Sequence, residues 1–189
     1  NILIPKQISS ESKSYNIITL GYDYSPATAL RDMGLRETAL PFDWVISNVN
    51  SLEWCFHENF AGYHKELYFN NNKTRLIDKY GFEFPHDYPT YLKTSTVPYI
   101  IDDWQDYHNK VLEKYERRIQ RFRCIVESSN PVIVLCRYDV ADVIKLKWLL
   151  YRYYNKTNVF FVNSNQNQTP FRSSLLKQDY CNYIINCYT

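Results

Sequence analysis

The stretch "PVIVLC" (131–136) constrains the fold of this chain more than any other. It is a continuous apolar run behind a proline, the pattern of a strand buried on both faces. "VADVIKLKWLLYRYY" (140–154) follows and predicts a helix, and "NVFFV" (158–162) predicts another strand. Strand, helix and strand with joints this short form a βαβ unit, which requires parallel strands and a right-handed crossover. "NIITL" (16–20) and "SPATALRDMG" (25–34) look like the first half of a similar unit. Ser25 suits a helix N-cap, Pro26 the first helical position and Gly34 the residue that stops the helix. The expected fold is therefore α/β: a single three-layer domain over residues 1–189, its sheet mostly parallel, with helices on both faces. The order of the strands is not legible. A last strand is expected over "CNYIINCY" (181–188).

Two further helices are expected. One runs over 50–60, with Leu52, Cys55, Phe56 and Phe60 on one side. The other spans 101–130, where Trp104, Tyr107, Val111, Tyr115, Ile119, Phe122 and Val126 recur at three- and four-residue spacing. Asp102 and Asp103 stand where its N-terminal dipole favours acid. Residues 61–101 are polar, aromatic and proline-punctuated without a sustained period, so they read as a loop-rich excursion or lid. Residues 1–14 read as an extended arm; an opening Asn rather than Met is the expected product of trimming.

Composition bounds the function. The chain has 189 residues with a formal net charge of +2, so nothing favours bulk electrostatic capture of nucleic acid. No apolar run of about 18 residues exists, so no membrane span is expected. "NILIPKQISS" is too short and polar for a signal peptide. The chain holds 18 Tyr, 10 Phe and 4 Trp. That content suits a surface for sugars or bases, or a tightly packed structural protein, and it is also what an A/T-rich genome yields. Five cysteines, an odd number with no CxxC spacing, read as free thiols in a reducing, intracellular compartment.

In open parallel sheets, ligands bind beyond the carboxyl ends of the strands. Those ends are "GYDYS" (21–25), "RYD" (137–139) and "NSNQNQ" (163–168), which would gather Asp23, Tyr24, Ser25, Arg137, Asp139, Asn163 and Asn165. Strand ends are also polar simply because they are loops. Around the first helix, Arg31, Arg36, Asp43 and Trp44 extend the candidate mouth. Arg118 falls within the apolar stripe of "YERRIQRF" (115–122), with Arg121 beside it. A half-buried arginine needs an acid, here Asp43 or Asp87, or else faces the cleft and grips a carboxylate, phosphate or sulfate with its fork. "PHD" (85–87) sets His86 beside Asp87, which is general-base equipment, although a loop histidine is more often solvated. Histidines and cysteines do not cluster, and no phosphate loop or dinucleotide fingerprint occurs, so neither a metal nor a cofactor is expected.

"ITLGYDYSPATALRDMGLRETALPFDWVIS" (18–47), "FPHD" (84–87), "YERRIQRF" and "VIVLCR" (132–137) resemble one family. It is the poorly characterised family of papain-like cysteine peptidases found in bacteria and large DNA viruses. The resemblance covers most of residues 16–165. It implies a nucleophilic cysteine in the first turn, where this sequence has Tyr24, and a general-base element at His86 and Asp87. Tyrosine cannot replace a thiolate, so the resemblance implies an inactive member. A papain-like fold would pair a helical half with an antiparallel barrel, whereas the βαβ pattern here predicts a parallel sheet.

Three functions follow. The first is a non-catalytic relative that binds a protein partner or forms part of an assembly, in a viral particle or host contact if the source is viral. The second is an enzyme on a small anionic or sugar-type substrate, with Asp23 or Asp43 as base and Arg118 and Arg137 as clamps. The third keeps the peptidase, with Cys55 near His57 and Glu58 as nucleophile; against it, Cys55 lies on an apolar helix face.

Overall fold

The structure is a computed structural model and describes residues 15–92 and 97–163. In chain order its elements are β1 (Asn16–Thr19), α1 (Ser25–Asp32) and α2 (Val49–His57). The short strands β2 (Tyr68–Phe69), β3 (Leu76–Ile77), β4 (Glu83–Phe84), β5 (Thr90–Tyr91) and β6 (Tyr99–Ile100) follow. A 3-10 turn (Trp104–Tyr107) leads into α3 (His108–Glu127), then β7 (Val132–Cys136), α4 (Val140–Tyr154) and β8 (Val159–Asn163).

The principal sheet has the order β1-β7-β8. Both pairings are parallel, with Ile18 opposite Val134 and Val134 opposite Phe161. The central place of β7 explains its unbroken apolar run, since all five of its residues are buried. The expected βαβ unit is β7-α4-β8, and the chain has the α/β character expected of it. The strand expected at 181–188 lies outside the described residues.

Alternation along the strands sorts the core. Ile18, Leu20, Val132, Val134 and Cys136 join the large apolar cluster that includes side chains of α2, α3 and α4. Ile17, Ile133, Leu135 and Val162 turn the other way and pack with Ala29 of α1. α4 closes at Asn155, whose left-handed φ of 50° lets its N–H reach back to the last turn. Gly34 ends α1 in the same region, at φ +73°.

Two helix starts differ from expectation. α1 includes Ser25, with Tyr24 in the N-cap position and no side-chain cap there. Asp23 does the capping instead: its Oδ1 accepts from the Ser25 backbone N–H at 2.9 Å and from the Ser25 hydroxyl at 2.5 Å. The carboxylate competes better for these donors than a neutral hydroxyl does. α3 begins at His108 rather than near 101. Asp102 is drawn away to Lys73 Nζ at 2.6 Å, so it does not serve the helix terminus.

The described residues of 61–92 and 97–101 form two small antiparallel sheets, β2-β3-β4 and β5-β6. Their strands are short because side chains do much of the holding. Asp78 accepts from the backbone N–H of Tyr80, Phe82 and His64 at 3.0, 3.1 and 3.0 Å. Tyr63, Phe82 and Phe84 then meet Phe42, Phe60 and Tyr115 at ring separations of 5.4 to 5.8 Å. Truncating one phenylalanine of such a cluster to Ala costs about 3–5 kcal/mol.

Candidate functional site

All three parallel strands point their carboxyl ends the same way, so the loops after β1 and β7 meet. Arg137 Nη1 donates to Asp23 Oδ2 at 2.7 Å, joining the two loops through a pair only 9% and 11% exposed. Gly21 is required at this turn, because a Cβ there would lie 2.6 Å from the Asp23 carbonyl oxygen. Ser47 clasps the same loop: its hydroxyl donates to the Gly21 carbonyl at 2.9 Å and lies 3.3 Å from the Tyr138 hydroxyl. Nothing in the sequence distinguishes Ser47 from any other loop serine, so sequence reasoning missed it. Asn163 Oδ1 accepts from the Tyr138 N–H and Asn163 Nδ2 donates to the Tyr138 carbonyl, which fixes the β7 loop. Asn165 lies outside the described residues.

Tyr24 stands at the N-terminus of α1, and its ring meets His86 edge-on at a centroid separation of 5.0 Å and 76°. This brings "GYDYS" and "FPHD" together. The surrounding protein lowers the pKa of His86 by desolvating the imidazolium, while Asp87 pulls it up. Asp87 is itself engaged by α3: Lys114 Nζ donates to one carboxylate oxygen at 2.5 Å and the Tyr115 hydroxyl to the other at 2.6 Å.

A second group lies around Trp44. The guanidinium carbons of Arg31 and Arg36 stand 5.4 and 5.2 Å from its ring. Arg31 also pairs with Asp32 at the surface, at 3.2 Å. Asp43 is buried and accepts from the Thr19 hydroxyl at 2.6 Å and the Leu40 N–H at 2.8 Å, with Arg36 Nε at 3.8 Å. Burial raises its pKa, opposed by those donors and by the charges of Arg36 and Arg118. Among the described residues Arg118 makes no ion pair within 4.0 Å; it lies 5.3 Å from the Tyr115 ring, and its Nη1 is buried without a hydrogen-bond partner. Arg121 is exposed and reaches the Ala39 carbonyl at 3.4 Å.

Sequence reasoning also missed a relay of three side chains. The Tyr88 hydroxyl lies 2.8 Å from His64 Nε2 and 2.8 Å from His108 Nδ1. His64 is fully buried, which pushes its pKa down to about 3.

Two of the thiols are poor nucleophiles. Cys55 and Cys136 are buried, and desolvation raises both above the ordinary thiol range. Cys124 is exposed, and Cys181 and Cys187 lie outside the described residues. Among the described residues, no three His, Cys, Asp or Glu side chains gather to hold a metal ion, and no helix is long and apolar enough to cross a membrane.

No curated protein and no solved structure matches the chain. The model of one family, described as "Putative papain-like cysteine peptidase (DUF1796)", matches residues 15–167, which include the β1 turn, "FPHD", the arginine helix and all of the parallel sheet. The chain belongs to that family.

Proposed function

We propose that this chain is a nucleophile-lacking member of its family, acting as a binding or structural component rather than a peptidase. One observation carries the reading: Tyr24 occupies the N-terminus of α1 with its ring against His86. A cysteine in that place would have what a reactive thiolate needs, a helix N-terminus to favour the anion and an imidazole nearby to take the proton. A phenol offers no such chemistry near neutral pH. His86 then serves as a wall of a binding surface. Asp23 and Arg137 hold each other, and this disfavours both as the base and clamp of a different enzyme.

Limited alkylation of the folded protein between about pH 5.5 and 8.5, mapped by mass spectrometry, tests this. All native cysteines should react slowly at the acid end, whereas Tyr24→Cys should create one that reacts fast and slows again in Tyr24→Cys/His86→Gln. A native cysteine alkylated rapidly at low pH would make that residue the nucleophile and overturn the reading.

A further inference from the structure

Three consecutive residues of the loop after β4 are held in three directions. His86 meets Tyr24 across the mouth, and Asp87 is gripped by Lys114 and Tyr115 of α3. Tyr88 joins the relay between His64 and His108. Two members of the relay are sealed from solvent, His64 at 0% exposed and Tyr88 at 5%. His108, the first residue of α3, is half-buried. Its ring stacks on that of His64 at 5.8 Å and meets Trp104 edge-on at 5.5 Å.

The proton positions follow from one orphaned atom. His64 Nδ1 is buried and has no hydrogen-bond partner. A buried N–H is almost never left without an acceptor, whereas a bare acceptor is better tolerated. The neutral His64 ring therefore carries its proton on Nε2 and donates it to the Tyr88 oxygen at 2.8 Å. The Tyr88 hydroxyl donates onward to His108 Nδ1, also at 2.8 Å. His108 Nδ1 is then bare, and that ring holds its proton on Nε2. Donation runs one way, from His64 through Tyr88 to His108.

A further proton has one place to go, His108 Nδ1. The new N–H points at a hydroxyl whose own hydrogen is aimed at it. Tyr88 can turn that hydrogen only toward His64 Nε2, which is itself a donor. Moving the His64 proton to Nδ1 leaves a sealed N–H without an acceptor, at a cost of about 1–3 kcal/mol. A charged His108 and a closed relay are thus incompatible. The charges that reach His64 are Asp87, which favours a cation there, and His108, Lys114 and Arg118, which oppose one. Lys114 already pairs with Asp87. Around His108 stand the rings of Trp104, Tyr88 and His64, and burial opposes its charge.

We propose that His108 is an acid-sensitive latch on the mouth: when Nδ1 takes a proton, Tyr88 lets go and the loop that carries His86 is freed at that end. The latch takes the Tyr24 and His86 face as the site it regulates, but it does not need that site to lack a nucleophile, and its test makes no use of cysteine chemistry.

Long-range proton–nitrogen NMR of the full chain identifies the tautomer of each ring, and the same sample is then followed from about pH 8 to about pH 5, the range in which histidines titrate. At the alkaline end both His64 and His108 should carry their proton on Nε2. On acidification, nuclear Overhauser contacts between the Tyr88 and His64 rings, and between His86 and Tyr24, should fade with the His108 midpoint. His108→Gln keeps an acceptor for Tyr88 but takes no proton, so both sets of contacts should persist to the acid end. Tyr88→Phe removes the donor to Nδ1, and the His108 midpoint should rise. A proton on His64 Nδ1 would overturn the assigned direction and the latch with it. Contacts that survive the titration of His108, or that fade equally in His108→Gln, would overturn the latch.

Discussion

The ring of Tyr24 meets the ring of His86 edge-on, 5.0 Å away, across the mouth formed after β1. The contact shields the imidazole, whose pKa the surrounding protein lowers chiefly by desolvating its charged form. Tyr24→Ala should therefore raise the His86 pKa toward its ordinary 6.5. Titration of the His86 ring signals by NMR checks this. An unchanged midpoint would show that the shielding comes from elsewhere.

The buried pair between Asp23 and Arg137 predicts strong coupling. Asp23→Ala leaves the guanidinium beside an uncompensated site and should cost about 3 kcal/mol. Asp23→Ala/Arg137→Met should regain much of that loss, because the charge needing compensation goes too. Urea unfolding of the four proteins of the cycle measures the coupling, and additive losses would contradict it.

His64 predicts a pH effect of definite sign. Its pKa is about 3 in the folded chain against 6.5 when unfolded, so between these values the unfolded state holds the extra proton. This part of the stability is complete above about pH 6.5 and is lost as pH falls toward 3, by up to about 1.4 kcal/mol per unit. Asp78 runs the other way. Burial pushes it from 3.8 up to about 7, so its contribution is complete at acid pH and is lost as pH rises through that window. The two slopes oppose each other in the native protein. His64→Gln removes one of them, and its stability relative to the native protein should fall with rising pH from about 4 to 6.5. Unfolding free energies that differ by a constant across that range would refute the assignment.

α4 predicts a contrast between neighbouring positions. Leu146 is fully buried in the large cluster, whereas Ile144 is 60% exposed. Leu146→Ala should cost about 2–5 kcal/mol. Ile144→Lys should stay within about 0.5 kcal/mol. Chemical denaturation of the two variants compares them directly.

What could be read in advance follows from where regularity resides. β7 and α4 were legible because their burial leaves a trace in spacing: an unbroken run for a central strand, a period near 3.6 for a helix packed on one side. The gathering of Asp23 and Arg137 was legible as a consequence of parallel strands, but their mutual pairing was not, because it depends on the loop that Gly21 and Ser47 shape. The described residues of 61–92 and 97–101 resisted reading for another reason. Their order rests on Asp78 gripping backbone N–H groups and on ring contacts, neither of which leaves a period. Arg118 was placed correctly in the stripe of α3, yet helical spacing says nothing about which neighbouring element would meet it. The relay through His64, Tyr88 and His108 joins three distant segments, and no local pattern announces such a meeting.

The position of β7 between β1 and β8 has a consequence for how the molecule is made. β7, α4 and β8 are consecutive, so they can assemble while the rest of the chain is still searching. β1 is synthesised early, but among the described residues its partner in the principal sheet, β7, comes from the last third of the sequence. Pairing β1 with β7 therefore closes a contact of more than a hundred residues' separation, the kind of long-range pairing that folds late and leaves an apolar edge open in the meantime.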